Sequence, residues 1–361
     1  MKVAIRVDAS SQIGTGHFMR CLTLAETLQQ RGMHVRFVCR HLPVHLRDML
    51  TSKTIELALY DVMEDMHVAD DLAHAHWLGV SQDQDAQDMI QALSDKTWDW
   101  VIVDHYGIDQ RWETTLRGAL DCKMLVIDDL ADRKHDCDVL LDQNFYADMD
   151  LRYIGKVPAH CRLLLGPGYA LLREEFRKLH GQIKPRRGPV VHVLVFFGGV
   201  DADDYTGRTI KVLSEIGISG LNVDVVIGAQ HPCCEEIKSS CALHGFVCHI
   251  QTDKMAELMA TADLAIGAGG SSTWERCSMG LPSVIMVLAE NQNEAAKDLE
   301  AAGVLINLGD AKLVTNEKLS YEIRKLMEDV ELRYKLSVAS LKLVPVSKHS
   351  GVVEVVVGHD V

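Results

Sequence analysis

A histidine follows a glycine turn near the start of the chain, in Gly14-Thr15-Gly16-His17, and it is the strongest chemical signal in the 361 residues. Unperturbed imidazole titrates near pH 6.5, so His17 is suited to general-base work at neutral pH. Lys2 to Asp8 read as a buried strand, while Phe18, Cys21, Leu22, Ala25 and Leu28 recur at helical spacing. The glycines must turn between the two, where open parallel sheets place their ligand crevices and the next helix aims free N–H groups. Two plainer roles fit the same residues: glycines that only serve a tight turn, and a histidine that caps the helix or faces solvent.

The second half carries two further glycine-bearing turns. Val190–Val200 is an apolar run that delivers Gly198-Gly199, whose backbone can approach phosphate. Asp263–Pro282 runs as a strand through Gly269-Gly270-Ser271-Ser272 into a helix, the arrangement that favours a diphosphate at free N–H groups. Glu275 has two readings on spacing alone, as an acceptor of ribose hydroxyls or as the carboxylate of a Ser272-x-x-Glu275 capping box. Asn291 and Gln292 follow the next strand and offer neutral amides to sugar hydroxyl or acetamido groups, though loop amides need no such role. Asp104 and Tyr106 stand at a corresponding strand end in the first half, as do Asp128 and Asp129. Arg173 is a candidate counter-charge for a diphosphate, or part of a solvated face with Glu174 and Glu175.

Several chemistries are disfavoured. The turn at Gly14 lacks the third glycine of a dinucleotide fingerprint and the lysine of a P-loop, and the second strand ends in Arg40 rather than an acid. Ten cysteines are scattered without paired C-x-x-C spacing, and Pro43 breaks the helical face that His41 and His45 would need. Reduced thiols, no metal site and no cofactor are expected. A net charge of −14 argues against nucleic acid or an anionic membrane as partner. With no apolar stretch of membrane-spanning length and no signal peptide, a cytoplasmic enzyme is expected, with a monomer favoured.

The elements that must position these residues alternate strand and helix throughout. Strands are expected at Val35–Cys39, Trp100–Asp104, Met124–Asp128 and Val139–Leu141 in the first half. A second series is expected at Val190–Phe197, Leu221–Ile227, Val247–Ile250, Leu264–Ile266 and Ser283–Leu288. A polar, basic, proline-bearing stretch at Leu179–Pro189 reads as a linker, dividing the chain into domains 1–180 and 181–361, with the last helix free to return to the first. The fold class is α/β: two Rossmann-like domains with parallel sheets whose strand ends face a central cleft suited to a nucleotide-linked substrate.

Taken together, these motifs resemble the UDP-2,4-diacetamido-2,4,6-trideoxy-β-L-altropyranose hydrolases of pseudaminic acid biosynthesis. The resemblance rests on Arg6-Val7-Asp8, Gly14 to Arg20, Asp104 to Gly107, Tyr169 to Phe176, Phe197 to Gly199, Ala268 to Cys277 and Ala289 to Gln292. It implies a GT-B fold that holds UDP mostly through the C-terminal domain. It implies His17 as the base that activates water, Tyr106 as an auxiliary polar group near the sugar, and Glu275 as the ribose ligand. Gly14, Thr15, Gly16 and Arg20 join the substrate site on the same ground. The partners implied are a UDP-sugar and water, and the product would feed a nonulosonic acid pathway for flagellin or surface polysaccharide. Lys348 to Gly351 departs from the family's pattern, which bears on the last helix and not on the site. The rival readings are a UDP-sugar glycosyltransferase, a hydrolysing UDP-sugar 2-epimerase and a non-catalytic nucleotide-sugar sensor.

Overall fold

Strands that are apolar along their whole length need cover on both faces, and the chain meets that need twice. The computed structural model describes residues 1–10, 12–60, 70–345 and 351–358. Two compact units divide them. The first comprises Met1–Asn144, Asp148–Leu171 and the C-terminal helix Gly351–Val357; the second comprises Phe145–Ala147 and the described part of the stretch from Leu172 onward.

In the first unit β1 (Lys2–Val7), β2 (His34–Cys39), β3 (Glu56–Leu59), β4 (Trp100–Asp104), β5 (Lys123–Ile127), β6 (Val139–Asp142) and β7 (Arg162–Leu165) lie in the order β3-β2-β1-β4-β5-β6-β7. Every described pairing is parallel. The strand order reverses between β1 and β4, and this switch point is where ligands enter such sheets. Helix α1 (Gly16–Gln30) covers β1 and β2 with Phe18, Cys21, Leu24 and Leu28, all buried. The C-terminal helix joins the same core through Val352, Val353 and Val356, and Arg31 of the α1 cap donates to Glu354 at 2.6 Å.

The second unit repeats the plan with β8 (His192–Phe196), β9 (Asn222–Ile227), β10 (Val247–Ile250), β11 (Leu264–Ala268), β12 (Ser283–Val287) and β13 (Ile306–Asp310), in the order β10-β9-β8-β11-β12-β13. Its switch point falls between β8 and β11. Three strands went unread in the sequence, β3, β7 and β13, and each is an edge strand with a partly exposed face.

The change of unit falls at Leu171 and Leu172, ahead of the proline-bearing stretch. That stretch is tied to the second unit: His180 Nδ1 meets the Ser278 carbonyl, and Arg186 donates to the Met259 and Ala260 carbonyls at 3.1 and 2.7 Å. Of the Lys348–Gly351 segment, only Gly351 lies within the described residues.

A buried ionic cluster stiffens the end of β1. Arg6, fully buried, donates to Asp85 (3.0 and 2.8 Å) and to Asp8 (2.9 Å), while Arg40 donates to Asp85 (3.0 Å) and Asp88 (2.6 Å). Asp8 also accepts the Arg40 and His41 backbone N–H groups at 2.7 and 3.1 Å. The Arg6-Val7-Asp8 motif is therefore internal bracing.

Candidate active site

In the first unit the turn after β1 and the end of β4 converge at the switch point. His17, second residue of α1, places Nδ1 2.6 Å from Asp104 Oδ1. Burial by itself would raise the Asp104 carboxyl, but the charges of Arg20 and His17 outweigh it and hold the group well below the usual carboxylate range. An ionised carboxylate only accepts, so Nδ1 bears a proton, and in the neutral tautomer that this contact selects Nε2 keeps its lone pair. Among the described residues nothing hydrogen-bonds Nε2. Arg20, one turn along α1, grips Asp104 with two nitrogens at 2.6 and 2.7 Å and reaches Asp129 with the third at 2.9 Å. Tyr106 donates its hydroxyl to Asp129 and sets its ring edge-on to His17, with centroids 4.6 Å apart. Its hydroxyl thus faces Asp129 rather than the imidazole. Burial and the Asp129 charge push the phenol well above its ordinary pKa, which leaves it a neutral donor.

Gly14 takes a positive φ of 76° in the turn that delivers His17, and Thr15 caps α1 without a side-chain hydrogen bond. Trp77 and His74, which the sequence reading passed over, complete the surroundings. They belong to a short 3-10 turn, Ala75–Trp77, with His74 as its cap. Trp77 stacks on Tyr106 (5.6 Å, 24°) and presents its edge to His17 (6.3 Å). Gly107 permits this approach, because a Cβ there would lie 2.9 Å from the His74 carbonyl oxygen. An aromatic pair of His and Trp three residues apart, in no periodic pattern, carried no signal of its own.

In the second unit both glycine turns sit at the carboxyl ends of β8 and β11. Gly198 has a φ of 106°, and a Cβ on Gly228 would meet the Gly199 carbonyl oxygen at 2.0 Å, so two backbones touch there. Gly269 and Gly270 lead into the helix Ser272–Ser278. Gln292 folds against them, with Oε1 accepting the Leu288 N–H at 3.1 Å and its amide within 4 Å of where Cβ atoms on Gly269 and Gly270 would stand. Asn291 is exposed on the neighbouring 3-10 turn Glu290–Gln292.

Glu275 accepts from Arg173 Nε at 2.9 Å, and Ser271, at the cap position, makes no side-chain capping bond. The Ser272 hydroxyl instead accepts from Arg276 Nη1 at 3.0 Å. The capping-box reading of Glu275 therefore gives way to an ion pair across the loop; Arg173 also pairs with Glu175 at 2.9 Å.

Arg276 is a further residue whose weight the sequence did not reveal. It is fully buried beneath the loop, and its acceptors are all neutral: Ala268 O (2.7 Å), Thr273 Oγ1 (2.9 Å) and Ser272 Oγ. Burial without a carboxylate partner pulls its guanidinium down to about 10. A buried cation under a glycine-serine loop, hydrogen-bonded only to neutral groups and offset only by the charge of nearby Glu275, is a source of positive potential for an anion.

Among the described residues one group, Asp201, Asp204 and His231, has the spacing to hold a metal ion. His231 Nδ1 accepts the Cys233 N–H at 3.1 Å, so Nε2 carries the proton and donates toward Asp201 Oδ2 at 3.4 Å. Asp201 is further occupied by the Tyr205 and Thr206 N–H groups at 3.1 and 2.8 Å. The trio is a loop brace in this protonation state.

Comparison with known proteins agrees with the resemblance read from the motifs. Residues 192–349 match the glycosyltransferase family 28 C-terminal domain. The UDP-2,4-diacetamido-2,4,6-trideoxy-β-L-altropyranose hydrolase of Campylobacter jejuni is 26% identical over 84% of this chain and 97% of its own. The spore coat polysaccharide biosynthesis protein SpsG of Bacillus subtilis is 25% identical over 93% of this chain and 92% of its own. In three dimensions the chain is similar to Acinetobacter baumannii MurG, with a TM-score of 0.65 at 16% identity, covering 98% of this chain and 97% of that one.

Proposed function

We propose that this chain, a GT-B-type enzyme that acts on nucleotide sugars, hydrolyses a UDP-linked 2,4-diacetamido-2,4,6-trideoxy sugar to UDP and the free sugar. The observation that carries the reading is the His17–Asp104 pair, a base with one nitrogen locked and the other open. In the proposed step His17 Nε2 takes a proton from water as the water oxygen bonds to the anomeric carbon. The bond from that carbon to the bridging oxygen breaks, and its electron pair leaves on the β-phosphate. Asp104 stabilises the imidazolium that results, and Arg20 holds Asp104 in place.

The second unit takes the nucleotide. Glu275 accepts the ribose hydroxyls once Arg173 releases it, the Gly269–Ser272 loop receives the diphosphate, and Arg276 supplies charge from below. Gly198, Gly199, Asn291 and Gln292 complete the proposed substrate contacts. In this reading the product supplies a pseudaminic-type acid for flagellin or surface polysaccharide; the name of the Bacillus subtilis relative, a polysaccharide biosynthesis protein, supports the second destination.

Hydrolysis in ¹⁸O-water tests the step: the label belongs in the anomeric hydroxyl of the sugar, and label in UDP instead means attack at phosphorus. Activity should survive exhaustive chelation, because His231 presents a proton rather than a lone pair to the Asp201 group. The family 28 match supports a second reading, sugar transfer to an acceptor. UDP release from the diacetamido substrate with no acceptor present separates the two.

A further inference from the structure

The patch around the His17 base has a composition that the water-activating step leaves unused. Three of its polar ring groups have no hydrogen-bond partner among the described residues: His17 Nε2, the Trp77 indole N–H and the His74 imidazole. The Trp77 and His74 rings make contact only through their π-faces and edges, with centroids 4.6 Å apart and with Tyr106 at 5.6 and 5.3 Å. Both are half-buried, so each keeps surface open to solvent. The guanidiniums beside it are engaged: Arg20 is held by Asp104 and Asp129 through all three of its nitrogens, and Arg133, 5.8 Å from the Tyr106 ring, donates to the Ile108 carbonyl and pairs with Asp128 and Asp132. With the neighbouring cations already paired, open aromatic faces and unanswered ring donors suit a neutral ligand with both C–H surface and hydrogen-bond acceptors.

We propose that Trp77, supported by His74, is the specificity-determining residue for the sugar: its indole packs on the C–H face of a 6-deoxy pyranose and its N–H donates to the C4 acetamido carbonyl. The inference rests on the UDP-sugar reading above and names what that site selects. An N-acyl carbonyl is a strong, uncharged acceptor that answers an indole donor. A C6 methyl and two acetyl methyls give the ligand more apolar surface than a fully hydroxylated hexose offers. In the 2-acetamido-4-amino counterpart an ammonium stands where the C4 acetamido carbonyl would meet the indole N–H. Gly107 holds the assembly close to the base, since any side chain there would push the His74 backbone away.

Trp77→Phe keeps a ring and removes the N–H; Trp77→Ala removes both. With the UDP-2,4-diacetamido sugar, Trp77→Phe should raise KM about 2- to 10-fold, the worth of one neutral hydrogen bond, with kcat within about twofold. Trp77→Ala should raise KM further. With the 4-amino counterpart Trp77→Phe should change little, so the preference for the acylated sugar narrows, and calorimetric affinity for UDP should match the wild type in both variants. Equal losses on the two sugars, or an unchanged KM in Trp77→Ala, overturn the proposal while leaving hydrolysis intact. If the wild type releases no UDP from either sugar, the hydrolase reading fails and saturation-transfer NMR on the free diacetamido sugar still decides this inference. Acetyl-methyl signals lost in folded Trp77→Ala support it, and signals equal to the wild type refute it.

Discussion

At the residue scale, the proposed catalytic unit is His17 together with what fixes its tautomer. His17→Asn should bind UDP as the wild type does yet lose about 10²–10⁴-fold in turnover, the usual cost of removing a general base. Asp104→Asn should lose a comparable factor by a different route, because an amide facing Nδ1 no longer holds the proton there and Arg20 loses its bidentate partner. Steady-state kinetics with UDP calorimetry on both variants checks this, and near-wild-type turnover in His17→Asn removes the residue from the chemistry. Glu275→Ala should weaken UDP by about 1–3 kcal/mol and leave 2′,3′-dideoxy-UDP unaffected, since only the former has ribose hydroxyls to lose. Arg276→Met should weaken UDP at least about tenfold while sparing uridine, which carries no charge for the buried guanidinium to meet. Equal losses on charged and uncharged ligands would reduce Arg276 to a loop support.

At the element scale, β5 and the segment that follows it carry a titration linked to folding. His135 is buried between Glu113, 2.7 Å away, and Asp128, and burial, which would lower its pKa, is outweighed by these carboxylates, which raise it to about 9. Its folded pKa lies above the unfolded 6.5, so the native state holds a proton that the unfolded state gives up. The stability this adds is complete below about pH 6.5 and is lost as pH rises through 9, in all up to about 3 kcal/mol. Urea unfolding between pH 6 and 10 should show that decline, and His135→Gln should flatten it. Asp142, pushed up to about 7 by burial and by Asp129, acts in a lower window. Between about pH 4 and 7 the unfolded carboxyl ionises while the native one keeps its proton, so stability falls across that window and the two groups are separable by pH.

At the scale of the whole molecule, the division of labour between the units is itself testable. The helix Gly351–Val357 buries Val352, Val353 and Val356 against the α1 core, although the chain reaches it only after completing the second unit. Val353→Asp should place an unpaired carboxylate in that core and destabilise the first unit by at least about 3 kcal/mol. UDP affinity, which is proposed to belong to the second unit, should persist in the variant. Calorimetric unfolding that shows only one of two transitions lowered, with UDP still shifting the other, is the expected outcome. Loss of UDP binding along with the first transition would locate nucleotide contacts outside the second unit.

Sequence alone determined the α/β class, the double series of buried strands and the turns that carry His17 and the Gly269–Ser272 loop. The reason is that continuous apolar runs and glycine-bearing junctions are local signals, written in consecutive residues. The edge strands β3, β7 and β13 escaped because a run of four or five residues at a sheet edge, partly exposed, is too short a local signal to separate strand from loop or helix. Only the tertiary structure decided which side chains meet. Asp104 stands 87 positions from His17, and Arg173 stands 102 positions from Glu275. Trp77 reaches the same imidazole from a 3-10 turn with no periodic pattern. The capping-box spacing of Ser272 and Glu275 was a true local pattern, yet Arg173, from 102 positions away, took the Glu275 carboxylate. A guanidinium delivered by the fold outbids a backbone N–H for a carboxylate, and no count of spacings along the chain can register its arrival.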